Sequence, residues 1–125
     1  MRCFSKAMIA TAALFASVLP VAAQNHCFNV TQFNNWRAPD DHTIFIRVSL
    51  SHYYRLDLAS TCSMLRWPDA HLIMNVHGPD TICSAVDWDL KVSQDMHSIP
   101  EPCIVKAMTL LSPAEAAAIP RKFKP

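Results

Sequence analysis

From His26 onward this 125-residue chain holds a single glycine, Gly78, and proline does most of the punctuating. Pro39, Pro68, Pro79, Pro100 and Pro102 divide it into pieces of strand length. Proline lacks the N–H that a sheet ladder needs and fixes φ, so each such residue stops a strand. A chain divided this way suits short antiparallel strands joined by turns, and not βαβ units.

The pieces alternate with the period of a strand. In "TIFIRVSL" Ile44, Ile46, Val48 and Leu50 share one face, and Phe45, Arg47 and Ser49 the other. "SLSH" can close a hairpin onto "YYRLDLA", where Tyr54, Leu56 and Leu58 oppose Tyr53, Arg55 and Asp57. "HCFNVTQFNNW" reads as a first strand with Phe28 and Val30 on one side. "AHLIMNVHG" sets Leu72, Met74 and Val76 against His71, Ile73, Asn75 and His77. "TICSAVDWDLKV" sets Val86, Trp88, Leu90 and Val92 against Asp87, Asp89 and Lys91. "CIVKAMTLL" is almost continuously apolar, the pattern of a central strand covered on both faces. "APDDH" and "GPD" are turns by composition. In "LSPAEAAAIP", Ser112 as N-cap, Pro113 at the first helical position and Glu115 three residues past the cap predict a two-turn helix that Pro120 stops. The expectation is an all-β fold: a small antiparallel barrel or sandwich of five or six strands with a short C-terminal helix.

The first residues set the expected compartment. "MRCFSK" is a basic segment, "AMIATAALFASVL" an apolar run, and "PVAAQ" supplies small residues for a signal peptidase. A secretory signal over residues 1–23, cleaved near Ala23, leaves a single β-rich domain over 24–125, periplasmic or secreted. The run is shorter than the ~20 residues of a membrane span, so no transmembrane segment is expected in the mature chain. Without Arg2 and Lys6, nine Lys and Arg remain against ten Asp and Glu. These charges are scattered, which argues against nucleic acid as a partner.

Export makes sense of the cysteines. Cys3 leaves with the signal; Cys27, Cys62, Cys83 and Cys103 remain. An even set in an exported chain reads as two disulfides, with three connectivities open. Of these the expected one is Cys62–Cys83 with Cys27–Cys103. No two of the four are close enough in sequence to resemble a metal-ligand pair.

Taken in order, these segments form a pattern. A Cys-led strand is followed by "DDHT" before an apolar strand, "YYR" leading into Cys62, then "ICSAVDWDL", "PCIV" and "LSPAEAAAI". Together they resemble a family of small exported bacterial proteins catalogued as a domain of unknown function. That resemblance implies an envelope location and a compact β fold. It supplies no activity and no catalytic residues. Members often carry lipoprotein signals and more glycine in the turns, and this chain departs on both.

Candidate chemistry is sparse. Six histidines, His26, His42, His52, His71, His77 and His97, invite a metal reading. His71 and His77, however, stand ~20 Å apart on a regular strand. His26 and His52 can approach one another if the first and third strands pair. Asp87 and Asp89 share a strand face at ~7 Å, a spacing that acid–base pairs in glycosidases can use. The plainer reading makes them the solvated face of a half-buried strand. No glycine-rich phosphate loop and no G-x-S-x-G or H-E-x-x-H motif occurs. The sequence therefore assigns no catalytic residue, metal ligand or cofactor. Phe45, Tyr53 and Arg55, on the polar faces of adjacent strands, form the expected binding patch. The functional expectation is a non-enzymatic envelope module, binding or structural, whose partner is an envelope protein or small ligand. The alternatives are a small extracytoplasmic hydrolase and a histidine-based metal binder.

Overall fold

A computed structural model describes residues 26–95 and 97–125; the expected signal segment, residues 1–23, lies outside them. The fold is all-β, three antiparallel sheets with one short α-helix, arranged as a sandwich and not as a closed barrel. The strands are β1 (Phe28–Asn29), β2 (Phe33–Arg37), β3 (Thr43–Val48), β4 (His52–Leu58), β5 (His71–Val76), β6 (Thr81–Ile82), β7 (Trp88–Ser93), β8 (Glu101–Pro102) and β9 (Val105–Leu110). Helix α1 covers Pro113–Ala118. One sheet has the order β2-β3-β4-β9, a second β5-β7-β8, and β1 pairs with β6 as a two-stranded clip.

The period-two pattern places the core. Ile44, Ile46 and Val48 of β3 and Tyr54, Leu56 and Leu58 of β4 are buried, as the alternation requires. Trp88, Leu90 and Val92 face them from β7. Phe28, delivered by the clip, joins the sheets. Its ring centroid lies 5.1 Å from that of Tyr54 and 6.3 Å from that of Trp88, edge-on. Each of these large apolar side chains contributes roughly 1.5–3 kcal/mol by leaving water. Leu50, expected on the same face, falls instead in the β3–β4 turn and is 88% exposed.

Two of the three corrections to the strand expectations share a cause, side chains that satisfy the backbone locally. The expected first strand breaks at a 3-10 turn over Val30–Gln32, where Asn29 accepts from the Thr31 N–H and Gln32 reaches back to the Asn29 N–H. The stretch "TICSAVDWDLKV" breaks at a 3-10 turn over Ala85–Asp87. Asp87 Oδ2 there accepts from the Cys83 and Ser84 N–H groups at 2.8 and 2.7 Å. This is the side-chain competition with sheet pairing that favours Asn, Asp and Ser in turns. Val86 is thereby turned outward, 79% exposed, and does not join the apolar face. The "CIVKAMTLL" strand, expected at the centre, is the edge strand β9.

The disulfides are Cys27–Cys83 and Cys62–Cys103, which overturns the expected pairing. The register explains the first: Phe28 pairs with Ile82, so the flanking Cys27 and Cys83 meet at the end of the clip. The second ties the exit of β4 to the crossover between β8 and β9. Cys103 donates its N–H to the Leu90 C=O in one sheet, and the next residue, Ile104, accepts from the Ala59 N–H at the other. Two such bonds suit an oxidising compartment.

The helix forms as its sequence predicts. Ser112 Oγ accepts from the Glu115 N–H at 3.2 Å, and Glu115 Oε2 accepts from the Ser112 N–H at 2.9 Å. Ala116 is its buried position, and Ile119, which caps its C-terminal end, is buried as well. Among the described residues no helix is long and apolar enough to cross a membrane.

Candidate binding face

Facing residues in antiparallel strands share a side of the sheet. Arg37 of β2 pairs with Phe45 of β3, Phe45 with Arg55 of β4, and Arg55 with Thr109 of β9. Arg37, Phe45, Arg55 and Thr109 therefore form one row across the face turned away from the core. The neighbouring row contains Asn35, Arg47 and Tyr53. Phe45 and Arg55 open, with Leu111, Glu115 and Ile119, into a cleft of about 300 Å³ between the sheet and the C-terminal helix. That volume is at the small end of ligand pockets.

Cations dominate this face. Arg55 Nε donates to Asp57 Oδ1 at 2.8 Å, and both side chains remain substantially exposed. Arg47 donates to Asn34 Oδ1 at 3.0 Å, while its Nε is buried without an acceptor among the described residues. Lys124 holds its ammonium 5.4 Å from the Tyr53 ring centre, a cation–π contact. Past the β2 edge, Arg37 and Lys122 line an adjoining groove of about 380 Å³ with Trp36, Trp67 and Phe123. Five of the nine Lys and Arg residues of the described chain thus lie on or beside a face whose acids are Asp57 and Glu115.

Phe45 and Arg55 are brought together as the sequence predicts. Tyr53 lies on the same face in the next row, half-buried beneath Lys124. Arg37 escapes the sequence reading, which ends the first strand at Trp36. The polar side chain alternating with Trp36 at a strand end was the available signal.

The other candidates are used elsewhere. Asp87 does not share a strand face with Asp89, because it sits in the turn before β7 with its carboxylate engaged by Cys83 and Ser84. Those main-chain donors hold its carboxyl below the usual aspartate range. Asp89 faces His77, whose Nε2 lies 2.8 Å from Asp89 Oδ2 and whose Nδ1 lies 3.3 Å from the Val86 C=O. The Asp89 hydrogen bond, then the Val86 carbonyl, raises the His77 pKa. Asp40 Oδ1 accepts from the His42 N–H, as a turn residue does.

His26 and His52 border a common cleft, although the first and third strands do not pair. Both line a cleft of about 620 Å³ beside Ser112 and Glu115. The Tyr54 hydroxyl donates to the His26 C=O at 3.3 Å, and burial raises the Tyr54 pKa. No group of three or more His, Cys, Asp or Glu able to hold a metal occurs among the described residues. No family model matches this chain, and no curated protein or solved structure shows significant similarity to it.

Proposed function

We propose that the protein is an exported binding module that holds an acidic envelope partner or small acidic ligand on the outer face of its four-stranded sheet. The observation that carries this reading is the row Arg37–Phe45–Arg55, an aromatic ring between two cations, next to Tyr53 under Lys124. An aromatic surface supplies contact area, and flanking cations select for negative charge and speed encounter. The two disulfides and the basic–apolar–small leader support a periplasmic or secreted location. The resemblance to the family of small exported bacterial proteins belongs to the same proposal.

The test is a pull-down from envelope extract with oxidised protein, run in parallel with an Arg37→Glu/Arg55→Glu variant. Acidic partners retained by the native face and lost by the variant support the reading. Identical captures by both proteins sink it.

A further inference from the structure

A second surface, on the far side of the four-stranded sheet from β2, is left open by the fold. The sheet ends at β9. Antiparallel main-chain bonds alternate along a strand, and the Leu111 N–H to Tyr53 C=O and Ala59 N–H to Ile104 C=O bonds fix their phase. Val105, Met108 and Leu110 therefore turn their main-chain groups away from β4. The same logic applies to β7. The His77 N–H to Asp87 C=O bond fixes the phase against β5, so Trp88, Leu90 and Val92 turn their main-chain groups toward β8. β8 is two residues long and meets only Lys91 and Val92, with Cys103 bonding to Leu90. Trp88 lies past its reach.

Between these edges is a cleft of about 510 Å³ whose lining includes Val86, Trp88, Lys91, Ile104 and Val105. Val86 is 79% and Ile104 64% exposed, large apolar side chains turned to solvent where two sheet edges are unpaired among the described residues. Trp88 Nε1 is buried without an acceptor among the described residues. Lys91 lines the cleft and Lys106 follows Val105 on β9, and neither joins an ion pair among the described residues. The cleft's acid, Asp89, is engaged by His77.

We infer that this cleft takes an extended acidic peptide segment, added as a strand along the free edge of β9 or β7. Free main-chain donors and acceptors give such a segment its affinity, and pockets for alternate side chains give it register. Val86 and Ile104 contact its apolar positions, and Lys91 and Lys106 its carboxylates. A second copy of the chain fits less well. Lysine on an edge strand opposes self-pairing, and two copies of β9 would bring their Lys106 side chains into one small interface. A saccharide fits less well too, since Trp88, 3% exposed, offers no open ring platform. This surface is separate from the outer-face row, so either can fail alone.

The probe is a short blocked peptide alternating valine with glutamate, compared with the same peptide N-methylated at alternate amides and with a valine–lysine counterpart. Binding to the disulfide-intact protein is measured by calorimetry, and amide protection by hydrogen exchange. The expected result is saturable binding that N-methylation weakens by about tenfold or more, the effect of losing one or two hydrogen bonds. The valine–lysine peptide does not bind. The Trp88 or Val105 amide gains protection, and Ile104→Asp, an exposed change, abolishes binding while the exchange pattern elsewhere stays native. Equal affinity for the N-methylated peptide, or no binding at millimolar peptide, overturns the inference. So does dimerisation that protects the same amides without peptide.

Discussion

His77, just past the end of β5, sets its Nε2 2.8 Å from Oδ2 of Asp89 on β7, while its other imidazole nitrogen lies 3.3 Å from the Val86 carbonyl. An imidazole with acceptors at both nitrogens is best satisfied when it is doubly protonated and donates from each. The His77 pKa is accordingly raised above its ordinary 6.5, first by the Asp89 hydrogen bond and then by the Val86 carbonyl. A folded-state pKa above the unfolded one means that the stabilisation is fully present below about pH 6.5 and fades as pH rises through the folded value. NMR titration of the ring should place its midpoint above the ordinary value, and Asp89→Asn should bring it down. A wild-type midpoint at or below 6.5 would remove the contact.

The two disulfides differ in their access to solvent. Cys27 and Cys83 are both exposed, whereas Cys62 and Cys103 are 0% and 1% exposed. Thiol–disulfide exchange needs an attacking thiolate to reach sulfur, so mild reductant should open Cys27–Cys83 first. Alkylation followed by mass spectrometry reads the order, and first labelling of Cys62 and Cys103 would contradict it. The bonds close chain separations of 56 and 41 residues; on the chain-entropy account each is worth about 4 kcal/mol. Full reduction should therefore lower the melting temperature by roughly 10 °C or more.

Much of the sandwich is legible because alternation is local. Ile44, Ile46 and Val48, and Tyr54, Leu56 and Leu58, needed only their neighbours in sequence to declare a buried side. The capping box around Ser112 is legible for the same reason. Sheet order is another matter. β9 reads as central because Val105, Met108 and Leu110 pack against the core and the residue after it, Leu111, lines the cleft under the helix. Apolar cover on both sides does not require strands on both edges. Cysteine pairing depends on β1 meeting β6, a contact across more than fifty residues that no local pattern announces. The candidate face divides along the same line. Phe45 and Arg55 follow from one hairpin, whereas Arg37 joins them only once β2 is registered on β3.

The assignment of faces can be tested by two leucines. Leu56 is fully buried, so Leu56→Ala should cost about 2–5 kcal/mol through lost burial and an unfilled cavity. Leu50 sits in the turn at 88% exposure, and Leu50→Ala should stay within about 0.5 kcal/mol. Urea unfolding of both variants gives the comparison, and equal costs would mean that the register of the β3–β4 hairpin is wrong. Ser112→Ala, which removes the acceptor for the Glu115 N–H, should cost about 1 kcal/mol.

The outer face makes a prediction about salt. Arg37 and Arg55 are exposed on either side of Phe45, so their attraction for an acidic partner acts through solvent and is screened over a Debye length of about 8 Å at physiological ionic strength. Affinity for a partner captured by this face should therefore fall as salt rises. Reversal of either arginine to glutamate should weaken binding by about tenfold, mainly through slower association. Phe45→Ala removes contact area and not charge, so it should act mainly on dissociation and leave the salt dependence unchanged. Surface plasmon resonance at several salt concentrations separates the two effects. Affinity that ignores salt and both arginine reversals would move the binding site off this sheet.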